Sequence, residues 1–91
     1  MDKSISSEDY KLFLRELRSA RKRGGLTQVD LAAKLGETQS FVSKCERGER
    51  RIDVVELRAF CRAIGVALSA FVGRLDRALS VGASARSRRK S

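Results

Sequence analysis

A chain of 91 residues with 42% hydrophobic side chains allows one small domain with a modest core and little spare stability. Leu, Ala, Arg, Lys and Glu dominate and proline is absent, which points to an all-α class; no apolar run approaches the ~18 residues of a membrane span. The net charge of +9, with no histidine and two cysteines, favours nucleic acid, anionic lipid or an acidic partner and argues against a zinc site.

Residues 8–23 read as a first helix, capped by Ser6 or Ser7, with Glu8 and Asp9 in its first turn. Leu12, Phe13, Leu17 and Ala20 recur at helical spacing, and Gly24 and Gly25 end it. Thr27 caps a second helix over 28–35, with a Leu26–Leu31 staple, inward Leu31, Ala32 and Leu35, and a stop at Gly36. Thr38 caps a third helix over 39–47, ended by Gly48. Its Val42 and Cys45 turn toward the second helix, and the small Ala32 allows close approach. After an "ERRID" loop, Asp53 caps a fourth helix over 54–64, with Glu56 completing a capping box and Ile52 and Leu57 a second staple. Leu57, Phe60, Cys61 and Ile64 form its core face, and Gly65 ends it. Ser69 caps a fifth helix over 70–79. From Val81 onward the small and basic residues lack periodicity and are expected to form a flexible tail. The expected domain is therefore 8–80, with a tail at 81–91.

Charge is unevenly spread. Residues 1–20 carry four groups of each sign, 21–51 eight basic and four acidic, and 86–91 four basic and none acidic. The excess sits on the middle helices and the tail. Cys45 and Cys61 both fall in helical patterns and are expected to be buried, reduced core thiols. The N-terminal "MDKSISSEDY" lacks the apolar stretch of a signal peptide, so the expected location is the cytoplasm, with no membrane association.

Two short helices joined through a glycine turn inside a helical bundle form a helix-turn-helix. In that motif one helix braces another that fits the DNA major groove, about 12 Å wide. Nine helical residues span roughly 13 Å, enough to cross it. Gln39, Ser40, Ser43 and Lys44 share one face of the third helix. Gln pairs with adenine, Lys donates to guanine, and Ser does either.

On these residues the chain resembles the lambda-repressor-like, Cro/XRE family of DNA-binding domains. The resemblance covers about residues 12–72. Its marks are Arg21, "LTQ" at 26–28, "LA" at 31–32, Gly36, Ser40, "VSK" at 42–44, "ERG" at 46–48, Arg51 and "EL" at 56–57. It implies a five-helix bundle in which Gln39, Ser40, Ser43 and Lys44 read base edges. It also implies that Gln28, Thr38, Arg47 and Arg51, with Arg50 as their neighbour, hold the DNA backbone. Gln28 would also brace the third helix, and Arg21 and Glu46 would form a partly buried ion pair. The N-terminal arm departs from the smaller phage members in not being basic.

Plainer readings stand beside these. Gln28 could be a solvated first-turn residue, Ser40 and Lys44 a solvated face, Ser43 a local helix contact, and the 47–51 arginines a solvated run. Glu46 could be exposed. The "RSRRK" tail could be a passive end, a DNA arm or a localisation signal.

The expected function is a sequence-specific, double-stranded DNA-binding regulator, with repression as the expected direction. One helix reads few base pairs, so a homodimer on a near-palindromic operator is expected. Phe71, Val72, Leu75 and Leu79 are its interface candidates. The alternatives are an antitoxin-type or partner-binding helical adaptor, engaging a toxin or co-regulator, and an RNA-binding module using the tail. No cofactor, metal or catalytic residue is expected: no phosphate-cradling glycine loop or paired-carboxylate arrangement is present, and Asp53 and Glu56 already serve as caps.

Overall fold

Three polar side chains set where the inner helices begin. Thr27 Oγ1 accepts from the Asp30 backbone N–H at 3.0 Å, and the Asp30 carboxylate accepts from Thr27 N at 2.9 Å. Thr38 Oγ1 accepts from Phe41 N at 3.0 Å. Asp53 accepts from Glu56 N at 2.8 Å, and Glu56 accepts from Asp53 N at 3.0 Å. Each bond satisfies a donor that the first turn of a helix leaves without a partner.

The computed structural model describes the backbone of residues 3–90 and the side chains of residues 8–81. Among them are five helices and no strand: α1 (Lys3–Arg23), α2 (Gln28–Leu35), α3 (Gln39–Glu46), α4 (Val54–Ile64) and α5 (Leu68–Lys90). None is long and apolar enough to cross a membrane among the described residues.

The outer helices differ from expectation at their open ends. α1 begins at Lys3, so Ser6 and Ser7 lie inside it rather than capping it, and Glu8 and Asp9 are not in its first turn. A serine caps only where the chain leaves helical geometry, and nothing between Lys3 and Glu8 breaks the ladder. α5 begins at Leu68, one residue before the expected cap Ser69; Phe71 N donates to Ala67 O at 3.0 Å. Its backbone continues through Lys90. Apolar periodicity reports packing, whereas the helical ladder itself is local, so the two stop at different places. The side chains of Arg86, Arg88, Arg89 and Lys90, and with them the expectations for the basic tail, lie outside the described residues. α3 ends at Glu46, leaving Arg47 as its C-cap.

The core joins all five helices. Leu17, Ala20, Leu31, Ala32, Val42, Cys45, Leu57, Phe60, Cys61, Ile64 and Phe71 form one buried cluster. Phe13 meets Phe71 edge-on at 6.1 Å, joining α1 to α5, and Phe41 meets Phe60 at 6.4 Å, joining α3 to α4. Leu12, expected in the core, is half-buried, and Leu14 is buried instead. Leu17 and Ala20 are buried as expected, and in the run Leu12–Phe13–Leu14 it is Leu14 that lines up with Leu17 and Arg21 on the buried face.

Gly36 and Gly24 show what geometry asks of glycine in this fold. Gly36, in the turn between α2 and α3, has φ +71°, a left-handed conformation that side-chain-bearing residues rarely adopt. Gly24 lets the end of α1 approach the end of α4: a Cβ there would lie 3.2 Å from the Ile64 carbonyl oxygen and 3.3 Å from Ile64 Cγ2.

Leu17, 1% exposed at the centre of the cluster, sets a test of this packing. Leu17→Ala is expected to cost ~2–5 kcal/mol, a large share of the stability of so small a domain, read as a lower urea midpoint by circular dichroism.

Candidate nucleic-acid interface

α3 has two faces. Val42, Cys45 and Glu46 are buried against the bundle, while Gln39, Ser40 and Lys44 are exposed and Ser43 is half-buried. The four positions expected to read bases therefore lie on the outer side of one short helix, with the exposed cap Thr38 at its start.

Beneath this face lies a buried carboxylate. Glu46, 3% exposed, faces Arg21, itself 7% exposed. Arg21 Nε donates to Glu46 Oε2 at 2.6 Å and Nη2 to Oε1 at 3.0 Å, a two-pronged, charge-assisted pair. Arg21 Nη1 also donates to the Leu26 carbonyl at 2.9 Å, so one guanidinium holds α1, the turn before α2, and α3. Arg18 adds a longer contact, Nε to Glu46 Oε1 at 3.7 Å.

The network continues to the surface. Gln28 Nε2 donates to Glu46 Oε1 at 2.9 Å, and Gln39 Nε2 donates to Gln28 Oε1 at 2.7 Å. Hydrogen-bond chemistry fixes both amides. A carboxylate only accepts, so Gln28 must turn its NH2 to Glu46 and its oxygen outward. Gln39 must then give its own NH2 to that oxygen. Gln39, an exposed residue, is left with one N–H and its Oε1 for other partners. Gln28 thus braces α3 from α2.

The loop after α3 is held from two sides. Arg50 makes a two-pronged pair with Glu56, at 3.0 and 2.8 Å, and its guanidinium lies 4.9 Å from the Phe41 ring centre. Arg51 lies over the Tyr10 ring at 4.6 Å, and Ile52 N donates to the Tyr10 hydroxyl at 3.1 Å, tying the loop to α1. Arg47 is exposed, pairs with Glu49 at 2.8 Å and donates to Ser43 Oγ. Arg50, one of the three arginines expected to hold phosphate, has its guanidinium taken up by a two-pronged pair within the chain.

These contacts set the ionisation of the rim. The Arg50 guanidinium, and then the Asp53 backbone N–H, hold the Glu56 carboxyl at about 2, against an ordinary 4.5. Bonds from Arg47 hold Glu49 low, and the backbone and hydroxyl of Thr27 hold Asp30 low. Burial pushes the Cys45 and Cys61 thiols up, and both are free. A raised thiol at a buried position is a poor nucleophile. No group of metal-ligating side chains is found among the described residues.

The four interface candidates on α5 separate. Phe71, 3% exposed, is spent in the monomer core and has no surface to offer a partner. Val72 is 42% exposed, and Leu75 and Leu79 are half-buried.

Three positioning residues escaped the sequence reading. Arg18 and Tyr10 act across long stretches of chain, and no local pattern signals that. Glu56 was read as a cap only. The "ERR" run at 49–51 preceding an acidic cap was the available signal for its second role.

Comparisons with known proteins agree with this geometry. Residues 17–71 match the sequence model of a family described as Helix-turn-helix. Over 46 residues the chain is 39% identical to an uncharacterized HTH-type transcriptional regulator, y4dJ, of Sinorhizobium fredii. That match spans 50% of this chain and 60% of the relative. An XRE-family like protein from Pseudomonas syringae pv. tomato is 47% identical and superposes with a TM-score of 0.77 over 82% of this chain and 92% of that one. The clp gene regulator ClgR of Corynebacterium glutamicum, 21% identical, shares the fold, with a TM-score of 0.73 over 88% of this chain and 85% of its own.

Two outcomes follow from the site. Glu46→Ala leaves Arg21 buried without its partner and is expected to cost ~3–5 kcal/mol, measured by urea unfolding. Glu56 has a folded pKa of about 2, below its ordinary 4.5. Its contribution is therefore full above 4.5 and is lost as pH falls toward 2. Comparing urea midpoints of wild type and Glu56→Gln from neutral pH downward, the gap is expected to close across that window. A gap independent of pH would contradict the Arg50–Glu56 pair.

Proposed function

Because the chain belongs to the helix-turn-helix family of Cro/XRE type, we propose that it is a cytoplasmic, sequence-specific double-stranded DNA-binding transcription regulator. It lays α3 in the major groove and acts as a repressor by occupying its operator. The observation that carries this reading is the exposed Gln39 amide, tied through Gln28 to the buried Arg21–Glu46 pair, which leaves it one donor and one acceptor for a ligand. That pair matches the N7 acceptor and N6 donor of adenine. A solvated glutamine on an inert surface needs no such anchoring.

The neighbours divide the work. Lys44 supplies a cation for guanine acceptors, and Ser40 and Ser43 supply hydroxyls. Gln28, Thr38, Arg47 and Arg51 hold the backbone. Arg47 is held by an exposed pair with Glu49 and a hydrogen bond to Ser43 Oγ, surface contacts that are worth little and are readily exchanged for a phosphate. Arg50 fixes α3 to α4 through Phe41 and Glu56 and positions the loop rather than holding phosphate. Two copies joined through Val72, Leu75 and Leu79 read a near-palindromic site.

Selection of bound duplexes from a random pool at physiological salt tests this reading. Enrichment of a two-fold symmetric motif is expected. No enrichment from folded protein would overturn it, and an asymmetric motif bound by a monomer would remove the dimer. On the selected site Lys44→Ala is expected to cost ~1–3 kcal/mol and relax preference at one or two base pairs. Arg47→Ala is expected to weaken specific and non-specific duplexes about equally, reducing the salt slope by about one unit. Equal loss ratios for the two variants would contradict the division into readers and holders.

A further inference from the structure

A cavity of about 360 Å³ lies between α1 and α5, separate from the α3 face. Three arginines line it: Arg23 from the end of α1, and Arg74 and Arg77 from one face of α5. Its apolar lining includes Ala20 and Phe71, both buried core residues. Among the described residues none of the three arginines forms an ion pair, whereas Arg18, Arg21, Arg47 and Arg50 all do. Three like charges around one partly apolar hollow, with no carboxylate among the described residues that line it, form an arrangement that an anion relieves.

Gly73 adds a second observation. A glycine inside a helix costs about 1 kcal/mol against alanine, yet Gly73 is within α5 and lines the cavity. A Cβ there would meet only the Arg77 guanidinium, at 3.9 Å. No crowding requires the glycine, and a side chain there would stand in contact with the Arg77 guanidinium that lines the same cavity.

We propose that this cavity is a binding site for a small organic anion that joins one oxyanion group, phosphate or carboxylate, to an apolar body. Its size falls in the range of small-molecule pockets, which are mostly apolar with a few converging polar groups. Guanidinium groups suit planar, two-pronged recognition of oxyanions. Such a ligand bridges α1 and α5 and gives this bundle an effector site apart from α3. Val72 and Leu79 lie on another side of α5, so the site leaves the proposed dimer face uncovered. The inference stands independently of the DNA-binding reading.

Titration of the labelled full chain with phenyl phosphate at constant ionic strength, followed by amide chemical shifts, tests it. Saturable shifts confined to Ala20, Arg23, Ala70, Gly73 and their neighbours are expected, with a rise in melting temperature. Inorganic phosphate, lacking the apolar body, is expected to bind more weakly at the same amides, and phenol to leave them unmoved. R74A/R77A is expected to weaken phenyl phosphate at least about tenfold, as charge-assisted bonds are lost. Arg58→Ala with Arg62→Ala, on the separate α2–α4 surface, is expected to change nothing. Gly73→Leu, which adds bulk to the cavity lining and keeps the charges, is expected to abolish the advantage of phenyl phosphate over inorganic phosphate. Shifts spread over every basic surface, or binding indifferent to R74A/R77A, would overturn the proposal. So would movement of these amides by duplex DNA and not by phenyl phosphate, which would assign the arginines to the DNA backbone.

Discussion

The Glu46 carboxylate is the constraint around which the domain is arranged. A buried carboxylate accepts and never donates, so every group facing it must be a donor. Arg21 supplies two N–H groups and Gln28 one. These come from α1 and α2, while Glu46 itself is the last residue of α3. Three helices are thereby registered against one charge. The net stability of such a pair is small once desolvation is counted, and its larger effect is orientation. The chain of donors determines which end of Gln28 faces Glu46, and then which end of Gln39 faces Gln28.

A second network on the far side of α3 repeats this logic with a different outcome. Arg50 spans Phe41 on α3 and Glu56 on α4, and Glu56 in turn closes the capping box at Asp53. Tyr10 receives Ile52 N and lies under Arg51. The loop between α3 and α4 is therefore fastened at both ends, and α3 cannot tilt without breaking one network or the other. A short helix held this way can present a fixed pattern of side chains without needing length of its own.

Much of this was legible in the sequence where the cause is local. Thr27, Thr38 and Asp53 declared the starts of the inner helices, and Gly36 the turn between α2 and α3, because caps and left-handed glycines act within a few residues. The start of α1 was misplaced because a serine is a cap only when the chain before it is not helical. Leu14 was missed because three consecutive apolar residues leave the centre of the face undetermined. Phe71 offered an apolar side chain to either a partner or the core, and only packing against Phe13 decides between them. The direction of the Gln28 and Gln39 amides was invisible, since it depends on the Glu46 carboxylate being buried and shared. Arg50 read as one of a basic run, and its separate role depends on Glu56 lying beside it in space.

Held by these two networks, the outer face of α3 is ordered before any ligand arrives. Side-chain 15N relaxation of Gln39 in the free protein, compared with Gln28→Ala, tests this most directly, because that variant cuts the relay and leaves the Arg21–Glu46 pair in place. A Gln39 amide as restricted as the backbone in wild type, and released in the variant, is the predicted result. Equal mobility of that amide in both proteins would contradict it.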